Sequence, residues 1–136
     1  MTLRDQIDWR CPARQAWQKS EHELQRELVA RVMALASKHP DILDLHAIPN
    51  GDWRGPRVAS RLKTEGVLPG VPDLFLPTPR GKWHGFYIEL KQGRGSVSDV
   101  QWGFMERAMS RGYLCRVYNN LQLALEAVEE YLEGKI

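Results

Sequence analysis

Residues 66–77 read GVLPGVPDLFLP, and residues 85–101 read GFYIELKQGRGSVSDVQ. Each stretch opens on a short apolar run. Asp73–Leu76 is closed by Pro77, and Gly85–Lys91 is rich in the aromatic and β-branched residues that suit a pleated surface. The loop TPRGKWHG between them is too short for a crossover, so the two strands are expected to pair antiparallel. In such a pair the start of the first strand adjoins the end of the second, and Asp73 meets Glu89. Glu89 and Lys91, two apart, share a face, while Leu90 points the other way into the core.

Working outward, Ser96 or Ser98 caps a helix running to about Ser110, ended by Arg111-Gly112, and Tyr113–Tyr118 is a further strand. Strand–helix–strand across 85–118 implies a parallel pair with a right-handed crossover. Upstream, Ser20 with Glu23 reads as a capping box. Leu24, Leu28, Val32 and Leu35 then give 20–37 an amphipathic helical period, stopped at His39-Pro40. Ile42–Ile48 is a strand candidate ended by Pro49-Asn50-Gly51. Residues 56–65 form a helix with proline in its first turn and Gly66 after its end. Asn119-Asn120 turns into a last helix, Leu121–Leu132. The expected class is α/β, a mixed central sheet flanked by helices. Residues 1–19 are weakly patterned, an arm or a packed lead-in, ahead of a domain over 20–136.

The 136 residues fit one domain, and 43% hydrophobic with 26% charged residues is ordinary for a globular chain. No run of 18 apolar residues suggests a membrane span, and the polar N-terminus lacks a signal-peptide core, which reads as cytoplasmic. Cys11 and Cys115 are too few and too far apart for a disulfide framework or a zinc site. The formal net charge of +2 does not announce a nucleic-acid binder. Its distribution says more. Arg80, Lys82, Lys91 and Arg94 stand against Glu89 alone in 80–94, while Glu126, Glu129, Glu130 and Glu133 stand against Lys135 in 119–136, so one face can meet an anion.

Two carboxylates, Asp73 and Glu89, with a backbone carbonyl at Leu90, form a hard-oxygen set that suits Mg²⁺ or Mn²⁺. A lysine beside such an ion can orient a water or stabilise a phosphorus centre under attack. Taken singly, each residue has a plainer reading: Glu89-x-Lys91 as a solvated ion pair, and Asp73 after proline as a turn residue. Phosphodiester hydrolysis is the chemistry that uses them together. Arg57 and Arg61, four apart on one helix face, and Arg80, Lys82 and Arg94, in loops flanking the site strands, are candidates for DNA phosphate contact. Trp53, Trp83 and Trp102 are candidates for base stacking or for core.

Pro72-Asp73 with Glu89-Leu90-Lys91 resembles the PD-(D/E)xK nuclease motif. HAIPNG (46–51), GVLPGVPDLFLP and YIELKQGRGSVSDVQ resemble the small stand-alone VRR-NUC domains of phages and bacteria, over roughly residues 20–132. The resemblance implies a restriction-endonuclease-like core and a Mg²⁺- or Mn²⁺-dependent endodeoxyribonuclease. It implies Asp73 and Glu89 as metal ligands, Lys91 as the catalytic lysine, and Gln101 as an active-site glutamine of the following helix. It also implies an acidic residue of the first helix, matched best by Glu21 with Gln25 one turn on, near the metal directly or through water. His46 and Asn50 fall near the site in the family. A homodimer acting on branched, flapped or junction DNA is implied as well, in repair, recombination or phage replication in a bacterial or phage-infected host cell. No recognition helix or zinc finger reads base sequence here. The rival readings are a non-catalytic DNA-binding module of the same fold and an α/β interaction protein without a nucleic-acid partner. The intact Asp73–Glu89–Lys91 set favours the enzyme.

Overall fold

A computed structural model of the chain describes residues 1–49 and 56–136. Four strands form one mixed sheet in the order β1 (His46–Ala47), β2 (Leu74–Leu76), β3 (Phe86–Leu90), β4 (Leu114–Tyr118). β1–β2 and β2–β3 are antiparallel and β3–β4 is parallel, the arrangement that the short link and the intervening helix require. Among the described residues there are five α-helices: α1 (Leu3–Ile7), α2 (Glu21–Met33), α3 (Pro56–Thr64), α4 (Asp99–Ser110) and α5 (Leu121–Leu132).

Strand alternation sorts the core into two layers. Phe86, Ile88 and Leu90 of β3, with Leu74, Leu76, Leu114 and Tyr118, meet Leu24, Leu28 and Val32 of α2 and Ala124, Val128 and Tyr131 of α5. On the opposite face, Cys115 and Val117 meet Trp102 and Met105 of α4 and Ile7 of α1. Glu89 and Lys91 belong to this second face, as their spacing from Leu90 demands.

Two regions differ from expectation or settle an open choice. Ile42–Ile48 is not a strand along its length: Pro40–Asp44 is a 3₁₀ turn, and only His46–Ala47 pairs in the sheet. Pro40 supplies the helical φ at the first position of the turn. Three-residue spacing then buries both Ile42 and Leu45 and leaves Leu43 outside, a burial that strict alternation could not achieve. Residues 1–19 are a packed lead-in. Ile7 is fully buried, Asp8 pairs parallel to Val117 beyond β4, and the Trp17 N–H donates to the Asn119 carbonyl at 2.7 Å. Helix α2 keeps half of its expected cap: Ser20 accepts from the Glu23 N–H, and residues 34–37 tighten into 3₁₀.

Candidate active site

The register Leu74↔Ile88 sets Asp73 opposite Glu89 at one end of the β2–β3 pair. Asp73 is held from both sides. Its Oδ2 accepts the Leu90 N–H at 2.8 Å, continuing the ladder through a side chain, and its carbonyl accepts the Ile48 N–H at 2.8 Å. Glu89 is 2% exposed. Its Oε2 accepts from Gln101 Nε2 at 2.8 Å and lies 3.2 Å from Lys91 Nζ, while its Oε1 is buried without a partner. Burial, then the charge of Asp73, pushes the Glu89 carboxyl up to about 8, against the pull of Lys91. Burial likewise raises Asp73, opposed by the Leu90 N–H and reinforced by the charge of Glu21.

Gln101 joins the site to its helix. It occupies the third position of α4, where its Oε1 accepts the Ser98 N–H at 2.9 Å in a capping box. The same oxygen accepts from Lys91 Nζ at 3.1 Å. The cap that starts α4 therefore also spans Glu89 and Lys91. The loop before Asp73 closes on the same helix end. Gly70, at φ +89°, lies so near Val100 that a Cβ would stand 2.7 Å from Val100 Cγ1 and 2.8 Å from its carbonyl oxygen.

Asp73, Glu89, Lys91 and Gln101 thus come together. Glu21 sits at the rim, exposed, with Oε2 accepting the Gln92 N–H at 3.2 Å. Arg94 follows in the turn after Lys91, exposed, with Nη1 donating to the Cys11 carbonyl at 2.9 Å. Arg57 and Arg61 are exposed on α3, and Arg61 is 3.9 Å from Glu65. Arg80 and Lys82 lie in the loop at the far end of the β2–β3 pair, roughly 10 Å of strand away from the carboxylates. There Arg80 binds Asp41 Oδ2 at 2.8 Å and the Leu132 carbonyl at 3.0 Å, and Lys82 Nζ stands over the Trp83 ring. His46 is on the edge strand, bonded to the Asp44 carbonyl at 2.9 Å. Trp102 is core, with Arg4 over its ring. Asn50, Trp53 and Arg54 lie outside the described residues. The sequence reading missed Asn119, taken only as a turn residue. It is fully buried and bonded to both chain segments beside the site, and no spacing or pattern distinguishes it from its capping neighbour Asn120.

Two carboxylates facing each other in a buried site need a shared proton or a cation. Glu89 Oε1, buried without a hydrogen-bond partner, fits a hard divalent ion with Asp73. The Leu90 N–H points to the Asp73 side, and a strand residue's carbonyl opens toward the same edge, so it can join them. Among the described residues no cluster of three acidic, histidine or cysteine side chains forms.

The family model of the VRR-NUC domain matches residues 13–120. A solved structure described as a VRR_NUC domain protein superimposes with a TM-score of 0.69 at 23% identity, covering 85% of this chain and 90% of its own, a likeness of fold. No curated protein matches the chain. No helix among the described residues is long and apolar enough to cross a membrane. With its mixed sheet and its opposed Asp73 and Glu89 beside Lys91, the chain belongs to the VRR-NUC family of nuclease domains.

Proposed function

We propose that the protein is a Mg²⁺- or Mn²⁺-dependent endonuclease that hydrolyses DNA phosphodiesters. The observation that carries this reading is the buried, unpartnered Oε1 of Glu89, opposite Asp73 and beside Lys91 and Gln101. Asp73, Glu89 and the Leu90 carbonyl would hold the ion, with Glu21 joining at the rim through water. When bound, such an ion polarises the phosphoryl oxygen and lowers the pKa of water.

The residues of the chain do the rest. Lys91, nearly buried, presents an ammonium whose position is fixed by Glu89 and Gln101. It can donate to the attacking water or to a phosphoryl oxygen, where charge accumulates as the water oxygen bonds to phosphorus. The bond from phosphorus to the leaving sugar oxygen breaks, that oxygen takes a proton from solvent water, and the attacking water's proton passes to solvent. Gln101 orients both Glu89 and Lys91 without taking a proton. The exposed Arg94, Arg57 and Arg61 supply charge for backbone contact, which carries no sequence preference. Selectivity for branched, flapped or junction DNA and a homodimer with one site per strand follow from the family resemblance and complete the proposal.

The test is cleavage of labelled duplex, single strand, 5′ and 3′ flaps and a four-way junction in EDTA, Mg²⁺ or Mn²⁺, with wild type beside Asp73→Ala. Cutting that needs the ion and is lost in the variant, while salt-sensitive DNA binding persists, is the expected result. Cutting that survives EDTA or Asp73→Ala overturns the assignment. Binding without cutting on every substrate returns the protein to a non-catalytic DNA-binding module.

A further inference from the structure

The turn Gln92–Gly95, immediately after Lys91, is fastened almost wholly by residues remote in sequence. Asn119, fully buried, is the centre of the fastening. Its Nδ2 donates to the Gly93 carbonyl at 2.7 Å and to the Cys11 carbonyl at 3.2 Å, and its Oδ1 accepts the Cys11 N–H at 2.8 Å. Its own carbonyl accepts the Trp17 N–H at 2.7 Å, and the Trp17 carbonyl accepts the Gly93 N–H at 2.8 Å. Gln92 Nε2 donates to the Gln18 carbonyl at 2.7 Å, Arg94 Nη1 to the Cys11 carbonyl at 2.9 Å, and Arg10 Nη1 to the Gly95 carbonyl. Just before the turn, the Lys91 N–H donates to the Tyr118 carbonyl at 2.9 Å. The sheet ladder therefore ends at Lys91, and the side chain of Asn119 takes over where the ladder stops.

We propose that Asn119 is a positioning residue for Lys91: with residues 10–18 it clamps the Gln92–Gly95 turn and so fixes the lysine against Glu89 and Gln101. The physical need is clear. Lys91 is the last ladder residue, its side chain is long, and a turn free to fray would let its ammonium drift from a geometry that tolerates little error. A buried asparagine whose side-chain oxygen and nitrogen are both engaged resists that fraying, because each bond broken leaves an unsatisfied group inside. The N-terminal segment thereby acquires a role in the site without touching substrate.

The inference rests on the nuclease reading for its catalytic consequence, and the experiment separates the two. Asn119→Ala and the exposed Gln92→Ala are compared with wild type by steady-state cleavage and by amide hydrogen exchange. Asn119→Ala is expected to lower kcat at least about tenfold with KM within about twofold. Exchange at Gly93 and Gly95 should quicken while Ile88 in β3 stays protected. Gln92→Ala, which opens no buried cavity, should show the same pattern more weakly and decides the matter if Asn119→Ala does not fold. Unchanged exchange at the turn, a loosened turn with unchanged kcat, or a rise in KM alone overturns the clamp. If wild type cuts no DNA, the nuclease reading fails, and exchange at Gly93 and Gly95 alone upholds or overturns the clamp.

Discussion

Gln101 Nε2 donates to Glu89 Oε2 at 2.8 Å, and the other end of the same amide both caps α4 and accepts from Lys91. Gln101→Ala therefore removes a helix cap and a site contact together. The cap is worth about 1 kcal/mol of stability. The loss of orientation at Glu89 and Lys91 is expected to cost about 10–100-fold in turnover. Gln101→Glu keeps only the acceptor side and sets a second carboxylate against Glu89, so it should be no better than alanine. Thermal unfolding and cleavage rates measured on both variants check this. A variant with full activity would remove Gln101 from the site.

Glu89 makes the metal-free protein sensitive to pH. Its folded pKa, about 8, lies above that of an unfolded glutamate, so the folded chain holds a proton that the unfolded chain releases. Stability is then greatest in mild acid and falls as pH rises from about 4.5 toward 8, by a few kcal/mol at most. Asp73 shifts in the same direction. Denaturant midpoints in EDTA across this range should decline. Glu89→Gln, which cannot ionise, should flatten the decline, and Mg²⁺ should oppose it by drawing the charged form. A midpoint that rises over the same range would contradict the burial argument.

Ile7 tests whether the N-terminal segment is part of the fold. It is fully buried against Trp102, Met105 and Val117. Ile7→Ala should destabilise the protein by about 2–4 kcal/mol, as in a core, rather than by the few tenths expected of a frayed terminus. Chemical denaturation gives the value directly.

Cys115 is fully buried in β4, and burial pushes its thiol up to about 12. It should resist alkylation in the native protein at pH 8 and react fully in denaturant, since the thiolate is the reactive form. Peptide mapping after iodoacetamide treatment checks this.

The opposition of Asp73 and Glu89 was legible because a short link forces antiparallel pairing and alternation then fixes both faces. Gln101 was legible only through the family resemblance: a glutamine in the third position of a helix reads equally as a cap, and here it is both. Ile42–Ile48 misled because five apolar residues in seven fit a strand as well as a 3₁₀ turn, and Pro40 decided between them. Arg80 and Lys82 are near the site strands in sequence but at the opposite end of the pair from the carboxylates in space, a distinction that charge counting does not make. Asn119 depended on tertiary contacts with residues 26 and 108 positions away.

Lys91 bears most directly on mechanism. Its ammonium is 3.2 Å from Glu89 Oε2 and 3.1 Å from Gln101 Oε1, and the residue is 8% exposed. Lys91→Met keeps the length and the packing and removes the charge. Two effects on the ion oppose each other. A neighbouring cation is gone, which favours a divalent ion, but Glu89 loses the charge that held its pKa down, which favours a competing proton. Metal affinity at neutral pH should therefore change by less than about tenfold. Turnover should fall by about a hundredfold or more if the ammonium meets charge at the phosphorus. Calorimetric titration with Mn²⁺ beside single-turnover cleavage separates the two quantities. A matched loss of both would assign Lys91 to holding the carboxylates, whereas loss of rate alone places it at the reacting phosphate.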